Sequence, residues 1–156
     1  MKKGLNFFSK KLKQYYNRLL EIKDHPEKIA MGFALGSFIG MTPLVGLQFV
    51  ISVALASILK WNKIAAGIAV FNTNIVTGIF IFSFNYKLGT KILGMEPSFI
   101  FPEKLNIGFL KILLNAGYEV IFSLVVGGIA TGIPTAIVGY FFIKFLLKKR
   151  KNGKRI

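Results

Sequence analysis

The sequence predicts an all-α fold: a small polytopic helical membrane protein with broken or re-entrant helices and an N-terminal amphipathic helix. Three observations predict it. First, 53% of the residues are hydrophobic and only 17% are charged, where a soluble domain carries about a quarter. Second, the cations avoid the apolar runs. Of 21 Lys and Arg, eight lie in residues 1–28 and seven in residues 144–156, and Lys60, Lys63, Lys87, Lys91, Lys104 and Lys111 flank uncharged stretches. Such flanks anchor helices at a membrane surface. Third, Gly40, Pro43 and Gly46 interrupt the longest apolar run, Ile29 to Leu59, within the motif GMTPLVGLQ. As one helix this run would extend about 46 Å, whereas a bilayer's hydrocarbon core is about 30 Å thick. The stretch before Pro43 is too short to span and the stretch after it barely suffices, so the chain is expected to enter, turn at depth and continue.

Residues 1–28 read as a basic amphipathic surface helix. Leu5, Phe8, Leu12, Tyr15, Leu19 and Ile22 recur every three or four residues and share one face. Lys10, Lys11, Lys13 and Arg18 lie off that face and are assigned to anionic lipid headgroups. A basic region this long does not fit a cleaved signal peptide, so the N-terminus is expected to be retained. Asp24 and Glu27 have capping-box spacing around Pro26. His25, the one histidine, is read as a structural or solvated residue at the helix start.

A helical membrane domain follows over residues 29–147. Its units are 29–59, 64–94 and 119–147, with an interfacial loop and helix at 95–118. In the first unit Gly32, Gly36 and Gly40 leave one helix face as bare backbone, which suits close helix packing in lipid. The link Lys60-Trp61-Asn62-Lys63 suits a membrane–water boundary. The second unit is uncharged from 64 to 86, but its centre holds Asn72, Thr73, Asn74 and Thr77. Such groups at depth need partners, and they cap broken helix ends well. Ala30–Ala34 matches Ala65–Ala69 at an offset of 35, a register that pairs Thr42 with Thr77. The match predicts two helix–break–helix units facing each other.

Pro97 and Pro102 mark a loop. Beyond it a polar stripe of Lys104, Gly108, Lys111, Asn115 and Glu119 predicts a short interfacial helix. The third unit is uncharged from 120 to 143. Gly128 and Gly132 form a second small face, and Pro134 predicts a kink or a third break. Glu119, at its mouth, is read as a solvated carboxylate. The tail 148–156, with Lys148, Lys149, Arg150 and Lys151, is expected to be cytoplasmic and either disordered or bound to anionic headgroups. Two basic termini place both ends in the cytoplasm, which requires an even number of crossings. Three units each crossing once would break that parity, so at least one is expected to re-enter.

Several function classes fall away. With no cysteine there is no disulfide framework and no thiolate metal site, and no metal or cofactor is implied. The uncharged runs offer no acid, base or nucleophile in a catalytic arrangement, so the chain does not read as an enzyme. A pI near 10.2 invites a nucleic-acid reading, but no recognition motif accompanies it. A transporter-like or lipid-translocation-like protein would use Thr42, Pro43, Gln48, Asn72, Asn74 and Thr77 as a mid-membrane polar site. The alternative is a membrane scaffold or anchor that binds anionic lipid through its basic ends and forms a homo-oligomer through its small-residue faces.

HPEKIAMGFALGSFIGMTPLVGLQ followed by FNTNIVTGIFIFSFNYKLGTKILG resembles the bacterial membrane-protein family called domain of unknown function 2062, over roughly residues 24–145. Gly40, Thr42, Pro43 and Gly46 match the family's G-F-T-P-x-x-G element, with Gln48 where the family often has His. Asn74 and Thr77 match its N-P-x-T element, with Ile75 in place of the proline. Tyr86, Gly89, Leu93 and Gly94 match a third. The resemblance implies a multi-pass protein of the bacterial inner (cytoplasmic) membrane, with envelope-biogenesis partners and no established activity. Gln48 can donate and accept hydrogen bonds but cannot shuttle protons as His does.

Overall fold

The computed structural model describes residues 22–71, 75–101 and 109–153. Among these the regular structure is all helical: α1 (Pro26–Gly40), α2 (Gln48–Ile58), α3 (Lys63–Val70), α4 (Ile75–Leu93), α5 (Phe109–Asn115) and α6 (Tyr118–Gly153). The 36 residues of α6 run about 54 Å at about 1.5 Å per residue. Its portion Tyr118–Lys149 is long and apolar enough to cross a membrane. α1 and α4 pack along this helix and α5 touches it, while α2 and α3 pack on α1 and on each other.

α1 lies antiparallel along the C-terminal half of α6. Tyr140 donates its hydroxyl to Glu27, and the Lys144 ammonium sits 3.0 Å from the Glu27 carboxylate. Further along, Gly139 faces Phe33 and Ser37, Gly132 faces the Phe38 ring and Gly128 faces the carbonyl of Met41. α4 lies antiparallel along the N-terminal half. There a methyl on Gly89 would overlap the Ser123 carbonyl, and one on Gly127 would overlap the Asn85 carbonyl. The contact is reciprocal: each helix contributes a polar residue and, four places on, a glycine that receives its neighbour's backbone.

The α1–α2 pair is a closed hairpin. Lys60, at φ 56°, ends the return leg, and Asn62 then ties it to the start of α1. Its amide donates to the Lys28 carbonyl at 3.0 Å and its side-chain amide to Asp24 Oδ2 at 3.0 Å. Asn62 Oδ1 also accepts the Ala65 amide at 2.8 Å, capping α3. α3 therefore starts beside α1 and runs parallel to it. Methyls on Gly32 and Gly36 would overlap the carbonyls of Asn62 and Ala66.

Asn62→Ala should cost about 0.5–2 kcal/mol for the lost cap, read as the fall in thermal midpoint in detergent. Asp24 is held below the usual carboxylate range, first by the Asn62 side chain and then by the His25 amide. A depressed carboxylate contributes stability above its unfolded value of about 3.8 and loses it as pH falls through the folded value. The gap between variant and parent should therefore narrow as the pH drops below that range. Ser52 gives a result of opposite sign. It is fully buried on α2, and its Oγ is the buried side-chain polar atom without a partner among the described residues. Ser52→Ala should be neutral or stabilising by about 1 kcal/mol, because it removes an uncompensated desolvation cost.

These contacts place the starts of α1 and α3, the end of α2 and the C-terminal part of α6 at one end of the molecule. Lys28, Lys60, Lys63, Lys144, Lys148 and Lys149 are exposed there. Lys87 and Lys91, with Glu119, lie toward the other end.

Several expectations are corrected. The α1 N-cap is His25, not Asp24, because Pro26 takes the first helical position; Glu27 turns to Tyr140 and Lys144 instead of closing a capping box. Pro134 lies inside an unbroken α6. Of the stripe, Lys104 and Gly108 lie outside the described residues, and Glu119 does not share α5 with Lys111 and Asn115, because Gly117, at φ 92°, turns the chain between α5 and α6. The basic tail does not begin as a separate segment at 148, since α6 continues to Gly153. Thr77 lies within α4, not in the break before it. The predicted surface helix with Lys10, Lys11, Lys13 and Arg18 lies outside the described residues, as do Asn72 and Asn74.

Candidate functional site

α1 ends at Gly40 and α2 begins at Gln48. The turn between them carries main-chain groups that neither helix pairs. Pro43 is buried in this turn, and Gly46 takes φ 89°, a conformation strained for any residue with a Cβ. Side chains serve the turn's carbonyls. Thr42 Oγ1 donates to Ile39 O at 2.7 Å, and Gln48 Nε2 donates to Thr42 O at 2.9 Å. From a different helix, Asn85 Nδ2 donates to Met41 O at 2.9 Å. Val45 packs on the apolar cluster of Phe82, Tyr86, Leu113, Val120 and Leu124.

Asn85 is fully buried. While its amide nitrogen holds Met41, its Oδ1 lies 2.9 Å from the Thr131 hydroxyl, which is also 3.0 Å from the Gly127 carbonyl. This node joins the hairpin turn, α4 and α6. It sits level with Gly128, which is sixteen residues from Lys144 and nine from Glu119, about 24 Å and 14 Å along the helix. The node is therefore well inside the uncharged length of α6.

Beside the node a cavity of about 520 Å³ between α4 and α6 opens outward. Phe80, Ile81 and Phe84 form one wall, and Ala130, Thr131, Pro134 and Thr135 form the other. Pro134 has no amide hydrogen to give Ala130, so that carbonyl lacks its usual helical partner. Thr135 Oγ1 donates to Thr131 O at 2.7 Å, supporting the next turn. The groove is apolar with hydroxyl, carboxamide and carbonyl groups at its inner end. These groups donate and accept hydrogen bonds without titrating near neutral pH. Among the described residues no cluster of His, Cys, Asp or Glu could hold a metal ion.

The structure thus brings together three residues named from sequence, Thr42, Pro43 and Gln48, in one turn. Thr77 stays apart from them on α4. Gly32, Gly36, Gly128 and Gly132 all lie at helix contacts, and Gly40 is buried. The residues that sequence reasoning passed over are Asn85, Thr131 and Thr135. The signal for Asn85 was present as Asn85 and Gly89, matched by Ser123 and Gly127, each a polar residue followed by glycine four positions on.

A family model described as an uncharacterized protein conserved in bacteria (DUF2062) matches residues 9–155. The chain belongs to this family. No curated protein and no solved structure gives a significant match. In this DUF2062 member the GMTP element forms the hairpin turn, and the Tyr86–Gly89 element carries the crossing of α4 with α6. Tyr86 also accepts the amides of Ser98 and Phe99 at 3.1 Å and 3.2 Å, drawing the loop after α4 back onto it.

Proposed function

We propose that this protein is a two-crossing membrane protein that moves lipid along the groove between α4 and α6. The α1–α2 hairpin enters from the basic end, turns at depth and returns to the same end. α3 and α4 together cross in two pieces, and α6 crosses back. Two crossings and one re-entrant hairpin leave both termini on one side. The positive-inside rule makes that side the cytoplasm, and the three long apolar runs then satisfy the parity that two basic termini impose.

The observation that carries the lipid reading is the division of labour at the turn. Thr42, Gln48 and Asn85 are engaged by main-chain carbonyls, which argues against a hydrated cation held there. The adjoining groove has phenylalanine and isoleucine walls, and Phe80 and Phe84 are 75% and 60% exposed. An acyl chain suits those walls, and with the Thr131 and Thr135 hydroxyls already given to Asn85 and to α6 carbonyls the groove would take its ligand by apolar contact.

Two measurements test the reading. The chain has no cysteine, so single introduced ones report sidedness. His25→Cys and Lys63→Cys should label from one face of a sealed vesicle, Glu96→Cys from the other, and Leu44→Cys from neither. In phosphatidylcholine vesicles carrying a fluorescent short-chain lipid, the reconstituted protein should make nearly all of the label accessible to an external reductant. Ala130→Phe, which fills the groove, should restore protection of the inner leaflet. Translocation that survives the filled groove, or none from the parent, overturns the lipid reading.

A further inference from the structure

A second groove lies between α2 and α3, away from the node. Its volume is about 360 Å³, with Phe49, Val53, Ile64, Ile68 and Phe71 as walls and Gly67 at its floor. A methyl on Gly67 would come 2.8 Å from the Phe49 ring, so the absent side chain is what lets that ring lie across α3. The Phe49 and Phe71 rings close the inner end, 6.0 Å apart between centroids. At the outer end stands Lys63, which lines the groove and is exposed, and Lys60 is exposed in the preceding turn. From Lys63 to Phe71 the groove runs about 12 Å along α3.

Phe49, Ile64 and Phe71 are 48%, 55% and 52% exposed. An apolar channel opening beside an ammonium at the basic end is complementary to one kind of molecule. We infer that this groove binds an anionic phospholipid, with one acyl chain along Gly67 and Ile68 and the phosphate on Lys63. Lys63 suits this because its methylene stem can follow the apolar wall while its charge stays at the surface. The attraction is to the negative headgroup, so a zwitterionic lipid with the same chains fills the groove less well. The inference rests on the membrane placement proposed above, which sets the basic end at the headgroup level, and it is independent of translocation through the other groove.

Trp61, the chain's one tryptophan, lies two residues before Lys63 and is half-buried. It is a native reporter for the mouth of the groove. The full chain is reconstituted in phosphatidylcholine vesicles containing either phosphatidylglycerol or phosphatidylcholine brominated near the headgroup end of one chain. The brominated phosphatidylglycerol should quench Trp61 at a mole fraction about five-fold lower than the brominated phosphatidylcholine. Lys63→Gln should remove most of that preference while leaving quenching in fully brominated phosphatidylcholine unchanged, which also shows the variant is folded and inserted. Val53→Phe, which narrows the groove and keeps every charge, should weaken the preference too. Equal quenching by the two lipids in the parent overturns the inference, as does full preference in Lys63→Gln. Full preference in Val53→Phe overturns it as well, by reducing the effect to charge at the surface. Absence of quenching even in fully brominated vesicles overturns the membrane placement along with it.

Discussion

Gly127→Leu should abolish assembly of the folded protein, and Gly127→Ala should be enough to destabilise it severely. In an ordinary exposed stretch of helix, replacing glycine with alanine stabilises by up to about 1 kcal/mol, because glycine loses the most backbone entropy on folding. Here the sign reverses. The new methyl would overlap the carbonyl of Asn85, and a backbone atom cannot swing aside as a side chain can. α4 would have to move bodily away from α6, and the reciprocal contact of Gly89 on Ser123 would open with it. Overpacking into a site that can adjust costs about 1–3 kcal/mol; a backbone against a backbone belongs at or beyond the top of that range. The measurement is the thermal midpoint in detergent, followed by size-exclusion chromatography. Gly132→Ala is the comparison. Its methyl would come 2.8 Å from a Phe38 ring carbon, and a ring can rotate, so its midpoint should fall far less. Gly89→Ala combined with Gly127→Ala should cost less than their sum, because helices already separated by the first methyl have room for the second.

The sequence carried the all-helical class because its apolar runs are long, uncharged and bounded by lysines. It also carried the position of the hairpin turn. Gly40, Pro43 and Gly46 fall within seven residues, and one of them occupies the left-handed region. What it did not carry was partnership at a distance. Asn85 looks unremarkable near the end of an apolar run; its role depends on Met41, forty-four positions earlier, and Thr131, forty-six later. Thr77 was grouped with Asn72 and Asn74 because polar residues cluster there, yet α4 had already restarted at Ile75. The cationic tail read as disordered or bound to headgroups, but leucine, lysine and arginine are good helix formers and cations suit a helix C-terminus, so α6 continues as far as Gly153. Pro134 read as a kink or a break, and α6 does not break there, since one missing amide is tolerable where Thr135 supports the adjacent turn.

Asn85→Leu isolates what the buried carboxamide contributes, because the two side chains are similar in size and the substitution leaves little cavity. Two groups lose a partner, and they are not equal. The Thr131 hydroxyl retains the Gly127 carbonyl at 3.0 Å, so it gives up little. The Met41 carbonyl stands where α1 has ended, and it loses the side-chain donor that reaches it from α4. A buried acceptor left without a donor costs about 1–3 kcal/mol, and the thermal midpoint should fall accordingly. Thr131→Val tests the node's other bond, from the Thr131 hydroxyl to Asn85 Oδ1. It leaves that buried oxygen without its donor, a cost in the same range of about 1–3 kcal/mol, but the Met41 contact survives. The two variants should part in a second readout. With Asn85→Leu the turn 41–47 is no longer tied to α4, so a cysteine introduced at Leu44 should become reactive to a membrane-permeant thiol reagent. With Thr131→Val it should stay protected. If Asn85→Leu left both the midpoint and the reactivity at Leu44 unchanged, the carboxamide would not be holding the turn.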